Sequence, residues 1–316
     1  HEPSRRQRQM CIRDSTNRQK ELLLLHFHEG VLKHNDQSSL QDQHIVQQTD
    51  VAVIQGWVYA DHRPRHLKLR HDVIQQQINN NQYVIVADAN LFLFANKENP
   101  HGYLRYSANG IFPTTGIYFD SLPDSNRWKQ IAKDCNISLM PQVKTGDSIL
   151  ICCQRNSGWS MKGTKISDWL GHVVKKVRKY TDRKIIIRPH PGDKRSYQWI
   201  SEAIELTPIK KLVADGHVRF SIQGVPIEKD LQNAWAVVNH NSSSIVGPII
   251  QGYHAFVTDP TDSQCKDVSN TDFSKLDSPD VFDRETWLAK KAMSHWKFDE
   301  LKSGEAWAHF KNYLSQ

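Results

Sequence analysis

Residues 149–154 (ILICCQ), 184–188 (KIIIR) and 254–258 (HAFVT) are short apolar runs that decide the fold of this chain. Two further runs, 218–222 and 235–238, share their content of β-branched residues and are bounded by polar or turn-forming segments. Runs of this kind are typical of strands that a sheet buries on both faces. The sequence therefore predicts five buried strands between residues 148 and 262.

Helical patterns alternate with these strands. Apolar residues at helical spacing predict helices at 168–179, 197–206, 228–234 and 243–251. Strands that alternate with helices imply right-handed βαβ units and a parallel sheet covered on both faces. We therefore predict a Rossmann-like domain at residues 148–282.

The first half of the chain has a less regular pattern, which predicts a second α/β domain at residues 16–147. Its predicted elements are strands at 21–27, 51–58 and 83–87, helices at 66–78 and 127–135, and ordered loops over 102–120. Helical spacing with three tryptophans predicts two terminal helices within 283–316, which we expect to pack back on this first domain.

Residues 5–15 (RRQRQMCIRDS) match the translation of an adapter that transposase-based library kits attach to DNA. We therefore treat residues 1–15 as adapter-derived, not native and disordered, and infer that the gene came from shotgun sequencing of an environmental sample. Without this segment the net charge falls from +7 to about +5, which permits a polyanionic partner without requiring one.

Composition predicts a globular protein of the cytoplasm. Hydrophobic residues make up 38% of the chain and charged residues 24%, and no apolar run approaches the length of a membrane span. Outside the adapter segment the cysteines are Cys135, Cys152, Cys153 and Cys265, and no pair has metal-ligand spacing. We expect reduced, buried thiols, no membrane partner and a monomer.

Four polar clusters follow predicted strands, at residues 154–160, 188–193, 239–244 and 259–262. Ligands of open parallel sheets bind beyond the carboxyl ends of the strands, so these clusters are expected at one edge. Strand-to-helix loops are polar in any case, and Ser242 or Ser243 also fits a simple helix cap. Four such clusters on one edge favour a binding site over that alternative.

The residue types at this edge suit a nucleotide diphosphate. A serine-rich helix start offers N–H donors to phosphate, and Arg188 and His190 are placed to neutralise a departing phosphate. The chain has neither a G-x-G-x-x-G nor a D-x-D motif, so we predict no dinucleotide, no metal and no required cofactor. The predicted donor-binding residues are Arg155, Gly158, Trp159, Ser160, Arg188, His190, Asn241, Ser242, Ser243, Ser244 and Asp259.

The His-Pro and Ser-Ser elements resemble those of bacterial sialyltransferases and capsule Kdo transferases. From about Val51 onward the chain resembles a family of tailed-phage glycosyltransferases. The shared motifs are 105–107 (RYS), 110–113 (GIFP), 158–161 (GWSM), 190–194 (HPGDK), 256–260 (FVTDP) and the aromatic tail 282–307. The resemblance implies the GT-B fold, two Rossmann-like domains with a cleft between them and C-terminal helices, and a hexosyltransferase activity.

One position departs from the family pattern. Gly247-Pro248 stands where the resemblance leads us to expect Glu-Ala within a helix. A carboxylate at that position suits a ribose hydroxyl, so its absence bears on how the nucleotide is held.

Phage origin points to an acceptor in DNA. Tailed phages glucosylate 5-hydroxymethylcytosine, so we expect UDP-glucose as donor and modified double-stranded DNA as acceptor, in the cytoplasm of an infected host. The basic stretch 62–70 lies next to Trp57 and Tyr59, and Arg63, Arg65, Lys68 and Arg70 are the predicted DNA-binding residues. Asp61 is the candidate catalytic base, with His62 as the alternative.

Two other functions fit the same sequence. The chain also suits a transferase of capsule or surface glycans that uses a CMP- or UDP-sugar. It also suits a protein that binds nucleotide sugars or DNA without catalysis on a glycosyltransferase scaffold. An intact cluster at Arg188 and His190 favours catalysis over the second of these alternatives.

Overall fold

The computed structural model describes residues 8–11, 18–41, 46–59, 65–156, 158–222 and 224–315. The chain forms two compact units. The first unit contains His1–Leu93, Glu98–Asn136 and Leu288–Gln316, and the second contains Phe94–Lys97 and Ile137–Trp287. The second unit therefore begins at Ile137, before the position 148 at which the sequence pattern becomes regular.

The strands, in chain order, are β1 (Arg8–Cys11), β2 (Ser39–Gln41), β3 (Val51–Gln55), β4 (Tyr83–Ala89), β5 (Leu104–Ala108), β6 (Ser148–Cys152), β7 (Lys184–Arg188), β8 (Val218–Phe220), β9 (Ala234–Asn239), β10 (His254–Val257) and β11 (His295–Trp296). The α-helices are α1 (Arg18–Leu32), α2 (Arg65–Asn79), α3 (Ser125–Asp134), α4 (Ile166–Arg178), α5 (Ser196–Glu205), α6 (Thr207–Ala214), α7 (Ile227–Leu231), α8 (Val246–Ile250), α9 (Arg284–Ala292), α10 (Phe298–Ser303) and α11 (Glu305–Leu314). Short 3₁₀ turns lie at Leu91–Phe94, Trp159–Met161, Ser243–Ile245, Lys266–Val268 and Phe273–Lys275.

The first unit is built on a six-stranded sheet in the order β11-β5-β4-β3-β1-β2. Strands β1 to β4 are parallel, whereas β5 is antiparallel to both β4 and β11. β1 lies within the segment 1–15 that was expected to be disordered, and it pairs with both β2 and β3. Strands pair through backbone N–H and C=O groups, which every segment carries whatever its sequence. An adapter-derived segment can therefore form a strand between β2 and β3.

Residues 21–27 were predicted to be a strand and instead belong to helix α1. The buried side chains Leu23, Leu24, Phe27 and Val31 recur at the spacing of one helical face, which the short window 21–27 does not reveal. α1 packs against α10, and Gly30 makes this possible because an added Cβ would lie 1.9 Å from the Leu301 carbonyl oxygen.

The prediction of loops over 102–120 was also wrong in part, because β5 lies within that segment. The terminal segment holds three helices and strand β11 instead of two helices. β11 is only two residues long and pairs with Arg105 and Leu104, which is too short a run to leave a pattern in the sequence.

The second unit contains a five-stranded, wholly parallel sheet in the order β10-β9-β6-β7-β8. The five strands predicted from the apolar runs are confirmed. Isoleucines on β6 and β7 pack against the apolar face of α4, including Leu170 and Val174. In this doubly wound order the chain reverses direction between β6 and β9, and the crevice beyond their carboxyl ends is where such sheets bind ligands.

Candidate functional site

The loops after β6 and β9 meet at this reversal point through Gln154 and Asn241. Gln154 is buried, and its Nε2 donates to Asn241 Oδ1 at 2.8 Å and to Ser160 Oγ at 2.7 Å. Asn241 and Ser160 were both predicted as donor-binding residues. Gln154 was within a predicted cluster, and the structure makes it the residue that joins the two loops.

Asp259, on the loop after β10, sets the orientation of these amides. It accepts hydrogen bonds from Asn241 Nδ2 at 2.9 Å and from Thr261 Oγ1 at 2.8 Å. Burial acts to raise the pKa of Asp259, but hydrogen bonds from Thr261, Asn241 and the Asp262 N–H outweigh it and lower this pKa to about 2. An ionised Asp259 can only accept, so Asn241 must present its oxygen to Gln154, whose own Oε1 has no partner among the described residues.

Lys162 is a cation that the sequence analysis missed. Its Nζ lies 2.8 Å from Asp262 Oδ2 and 3.7 Å from Asp259 Oδ2, and its side chain is 60% exposed. The hydrogen bond with Asp262 raises the pKa of Lys162, so the amine stays charged. Its position beside Gly163, just after the predicted GWSM motif, was the signal available in the sequence.

His240 lies beside the same network. Its Nδ1 is 2.8 Å from Thr258 Oγ1, which also accepts from Trp169 Nε1 at 2.9 Å, and its Nε2 is 3.8 Å from Asp259. Burial lowers the pKa of His240 despite the nearby Asp259 carboxylate. The imidazole ring of His240 is therefore neutral at physiological pH and lines the site as a polar side chain.

Arg155 and His190 form a second polar pair at this edge. The Gly192 N–H donates to His190 Nδ1 at 3.0 Å, which leaves Nε2 as the protonated nitrogen of the neutral ring. Burial and the nearby Arg155 lower the pKa of His190. The guanidinium of Arg155 lies against Gly192, where an added Cβ would approach its Nη2 to 2.5 Å.

The side chain of Arg155 is exposed and makes no hydrogen bond or ion pair with any residue that the structure describes. Beside it, Asp193 ties the loops after β6 and β7 together by accepting from the Asn156 N–H at 3.1 Å and from Trp199 Nε1 at 3.0 Å. A charged side chain with no hydrogen-bond or ion-pair partner among the described residues, on loops held in this way, is available to a ligand.

Arg188 does not join this group, although the sequence analysis placed it there. Its Nη1 donates to Asp230 Oδ2 at 2.7 Å and its Nη2 to the Val225 carbonyl at 2.6 Å. Successive strand residues point to opposite faces, and Ile187 packs in the core cluster that contains α4. Arg188 therefore points to the other face, where it neutralises the buried Asp230.

The serines after β9 also differ from the expectation in part. Ser242 Oγ accepts from the Ser244 N–H at 3.2 Å, so Ser242 caps the 3₁₀ turn Ser243–Ile245. This is the capping role that the sequence offered as an alternative to phosphate binding. Ser243 and Ser244 are half-buried at the edge. Trp159 is about half exposed (51%) in its own 3₁₀ turn, and Gly158 before it has an ordinary φ of −65°.

The departure at Gly247 has a structural reason. An added Cβ at this position would lie 1.9 Å from the Phe94 carbonyl oxygen and 2.4 Å from the Phe94 carbonyl carbon. The segment Phe94–Lys97 belongs to the same unit and crosses α8 at this point. The glutamate that the family pattern predicts does not fit here without a shift of that backbone.

The predicted DNA-binding stretch is only partly visible. Asp61, His62 and Arg63 lie outside the described residues, and the side chain of Arg65 is not described. Lys68 forms an ion pair with Asp72 at 3.0 Å, and Arg70 Nη1 donates to the Gln55 carbonyl oxygen. These two side chains are thus engaged within the first unit and do not form a free cationic stripe.

Aromatic side chains follow β3 in the first unit. The ring centroids of Trp57 and Tyr59 are 5.9 Å apart, and those of Tyr59 and Phe112 are 6.1 Å apart. Tyr59 is 42% exposed. We call these three residues the aromatic platform, because rings of this kind stack against bases or sugars.

Two kinds of feature were not found in the part of the chain that the structure covers. No helix there combines the length and apolar character needed to cross a membrane. No three histidine, cysteine or carboxylate side chains there are grouped as a metal ion would require.

No protein-family model and no curated protein sequence matches this chain. Its structure is similar to the β-Kdo 2,4-transferase of KpsC from Thermosulfurimonas dismutans, with a TM-score of 0.50, 10% identity and coverage of 92% of this chain and 90% of that one. The β-Kdo 2,7-transferase of KpsC gives a TM-score of 0.49 and 11% identity over 96% of this chain and 99% of that one. With its two Rossmann-like units, the protein has the α/β fold of GT-B enzymes, which confirms the predicted fold class.

Proposed function

We propose that the protein is a glycosyltransferase that binds a nucleotide-sugar donor beyond the carboxyl ends of β6 and β9. The observation that carries this proposal is the arrangement at that edge. Gln154, Asn241 and Asp259 form a rigid hydrogen-bonded network, and exposed Lys162 and Arg155 flank it. Fixed polar groups with adjacent cations at the reversal point of a doubly wound sheet suit a nucleoside diphosphate.

The transfer reaction requires positive charge beside the phosphate that leaves with the nucleotide. In the transfer, the acceptor oxygen forms a bond to the anomeric carbon while the bond between that carbon and the phosphate oxygen breaks. The leaving nucleotide takes the electron pair, and the acceptor proton passes to a base. In this proposal Arg155 and Lys162 neutralise the leaving phosphate, and His190 supplies an Nε2–H donor.

The donor and the acceptor are the finer part of the proposal. The phage-like motifs favour UDP-glucose and 5-hydroxymethylcytosine in DNA, with Asp61 or His62 as base. The aromatic platform supports an acceptor that contains a ring. A surface-glycan acceptor is the second candidate, because Lys68 is paired with Asp72 and Arg70 donates to the Gln55 carbonyl oxygen, so neither cation is held for a DNA phosphate.

The decisive experiment offers both acceptors. The protein is incubated with 5-hydroxymethylcytosine DNA and with acidic and neutral oligosaccharides, each with a panel of UDP- and CMP-sugars. Mass spectrometry of nucleosides and of saccharides then reports the product. Sugar on the modified nucleoside supports the DNA acceptor, and sugar on a saccharide supports the alternative. Donor binding without any transfer would contradict the catalytic proposal.

A further inference from the structure

Arg105 of the first unit is a buried arginine with an incomplete set of partners. It is only 4% exposed, and its Nη2 donates to Asp88 Oδ2 at 2.6 Å. Its Nε and Nη1 have no hydrogen-bond partner among the described residues. Buried charged donors are almost always paired, so unpaired guanidinium N–H groups call for an explanation.

Arg127 in the same unit shows that the fold can satisfy a buried arginine. All three of its guanidinium nitrogens donate, to Glu300 and to the carbonyl oxygens of Ala292 and His295. The unpaired nitrogens of Arg105 are thus a feature of that position and not of buried arginines in this unit.

A second buried cation lies close to Arg105. Lys291 is 5% exposed, and its Nζ is 5.4 Å from the ring centroid of Tyr118, while the Arg105 guanidinium carbon is 5.6 Å from the same centroid. Lys291 Nζ lies 3.5 Å from Asp120 Oδ2. Burial, and then the charges of Arg105, Arg127 and Lys291, lower the pKa of His295 to about 3. His295 is therefore neutral and adds no competing charge.

The position of these cations relative to the sheet is that of a ligand site. Arg105 is opposite Asp88 in the ladder, at the carboxyl end of β4. Asp88 lies two residues beyond Val86, whose side chain packs in the cluster that contains α2 residues, so Arg105 and Asp88 are on the α2 face. Asp88 is 33% exposed, which opens this ion pair to the surface.

The aromatic platform is on the same face. Trp57 packs against the α2-face cluster, and so does Ile111, which precedes Phe112 of the platform. Tyr118, the ring between the two cations, donates its hydroxyl hydrogen to the Ile111 carbonyl oxygen. A continuous set of contacts therefore joins the cations to the stacking surface.

We propose that Arg105 and Lys291 bind an anionic group, a carboxylate or a phosphate, on a cyclic acceptor whose ring lies on the aromatic platform. Assigning this ligand to the acceptor rests on the glycosyltransferase proposal, whereas the anion site itself does not. The free N–H groups of Arg105 supply charge-assisted hydrogen bonds to the anion.

The test uses isothermal titration of the full chain with three probes of similar size. Glucuronate carries a carboxylate, glucose 6-phosphate carries a phosphate, and glucose carries neither. Either charged sugar is expected to bind at least ten-fold more tightly than glucose, and the preferred one identifies the anion. Equal binding of all three sugars, or no binding of a charged sugar, would overturn the proposal.

Two variants separate recognition from a purely structural role. Arg105→Gln is expected to lose the preference for the charged sugar, whereas Lys302→Gln, which removes a half-exposed cation of the same unit, keeps it. If Arg105→Gln does not fold, Arg105→Lys serves, with at least a three-fold loss expected because its single amine replaces a planar group. A folded Arg105 variant with a lower melting temperature but unchanged sugar binding contradicts the proposal. Transfer activity is measured separately, so anion binding that persists without transfer would contradict only the acceptor assignment.

Discussion

The carboxyl edges of the two sheets use polar side chains in different ways. In the second unit, Gln154, Asn241 and Asp259 bond to each other from three different loops, and Lys162 and Arg155 remain accessible. In the first unit, Arg105 and Lys291 are buried, beside an aromatic platform. A cross-linked edge with exposed cations suits a donor whose position is fixed, whereas a stacking surface above buried cations suits recognition of an acceptor ring. The following variants test this contrast, from the largest expected effect to the smallest.

Arg188→Ala is expected to destabilise the second unit by about 3 kcal/mol. Removal of the guanidinium leaves the buried carboxylate of Asp230 with Arg219, at 3.3 Å, as its one charged partner among the described residues. Urea unfolding measures the change, and Asp182→Asn, at a fully exposed partner of Arg178, is the control with little expected effect. An Arg188→Ala protein with unchanged stability but no activity would contradict the structural role and would show that Arg188 acts in donor binding or catalysis.

Arg155→Ala is expected to lower kcat by about 100-fold without changing stability. Its side chain makes no hydrogen bond or ion pair with any described residue, so a loss of activity without a loss of stability is expected to come from the ligand that it neutralises. Steady-state transfer kinetics and thermal unfolding are measured together. Lys194→Ala, at an exposed lysine of the neighbouring loop, is the matched control. Equal activity of both variants would remove Arg155 from the site.

Asp259→Asn is expected to remove a pH-dependent stabilisation of about 2 kcal/mol. The pKa of Asp259 is lowered from 3.8 to about 2 in the folded protein. Its contribution is therefore complete above pH 3.8 and disappears as the pH falls through about 2. Unfolding free energies between pH 6 and pH 2 should converge for the two proteins. Parallel curves would mean that Asp259 is not held ionised by its neighbours.

Two helical glycines, one in each unit, are expected to respond differently to alanine. Gly30→Ala is expected to cost about 1–3 kcal/mol, because its Cβ would meet the backbone of Leu301 at 1.9 Å. In α4, the Cβ added by Gly171→Ala would meet the end of the Leu206 side chain at 2.9 Å. The gain in helix propensity offsets this contact, so the free energy of unfolding is expected to change by no more than about 1 kcal/mol. Thermal unfolding of the pair measures both values. Similar melting temperatures would show that α1 and α10 can separate.

The pattern of the second unit was predictable because each strand is a complete apolar run with a polar loop after it. The secondary structure of the first unit was less predictable from the sequence. Residues 21–27 form a helix whose apolar face extends to Val31, and β5 and β11 pair across about 190 residues of sequence. Local windows hold neither the full helical repeat nor the partner strand, and for that reason these elements were missed.

The sequence by itself determined the doubly wound sheet of the second unit and the loops that carry its polar side chains, because apolar periodicity and strand ends are local properties. Tertiary structure decided which of those side chains meet. Arg188 and His190 are only two residues apart in the sequence. Arg188 nevertheless binds Asp230 on one face of the sheet, whereas His190 lies beside Arg155. Gly247 is required by the backbone of Phe94, which is 153 residues distant. Such choices depend on strand alternation and on the packing of distant segments, so they arise only when the chain is folded.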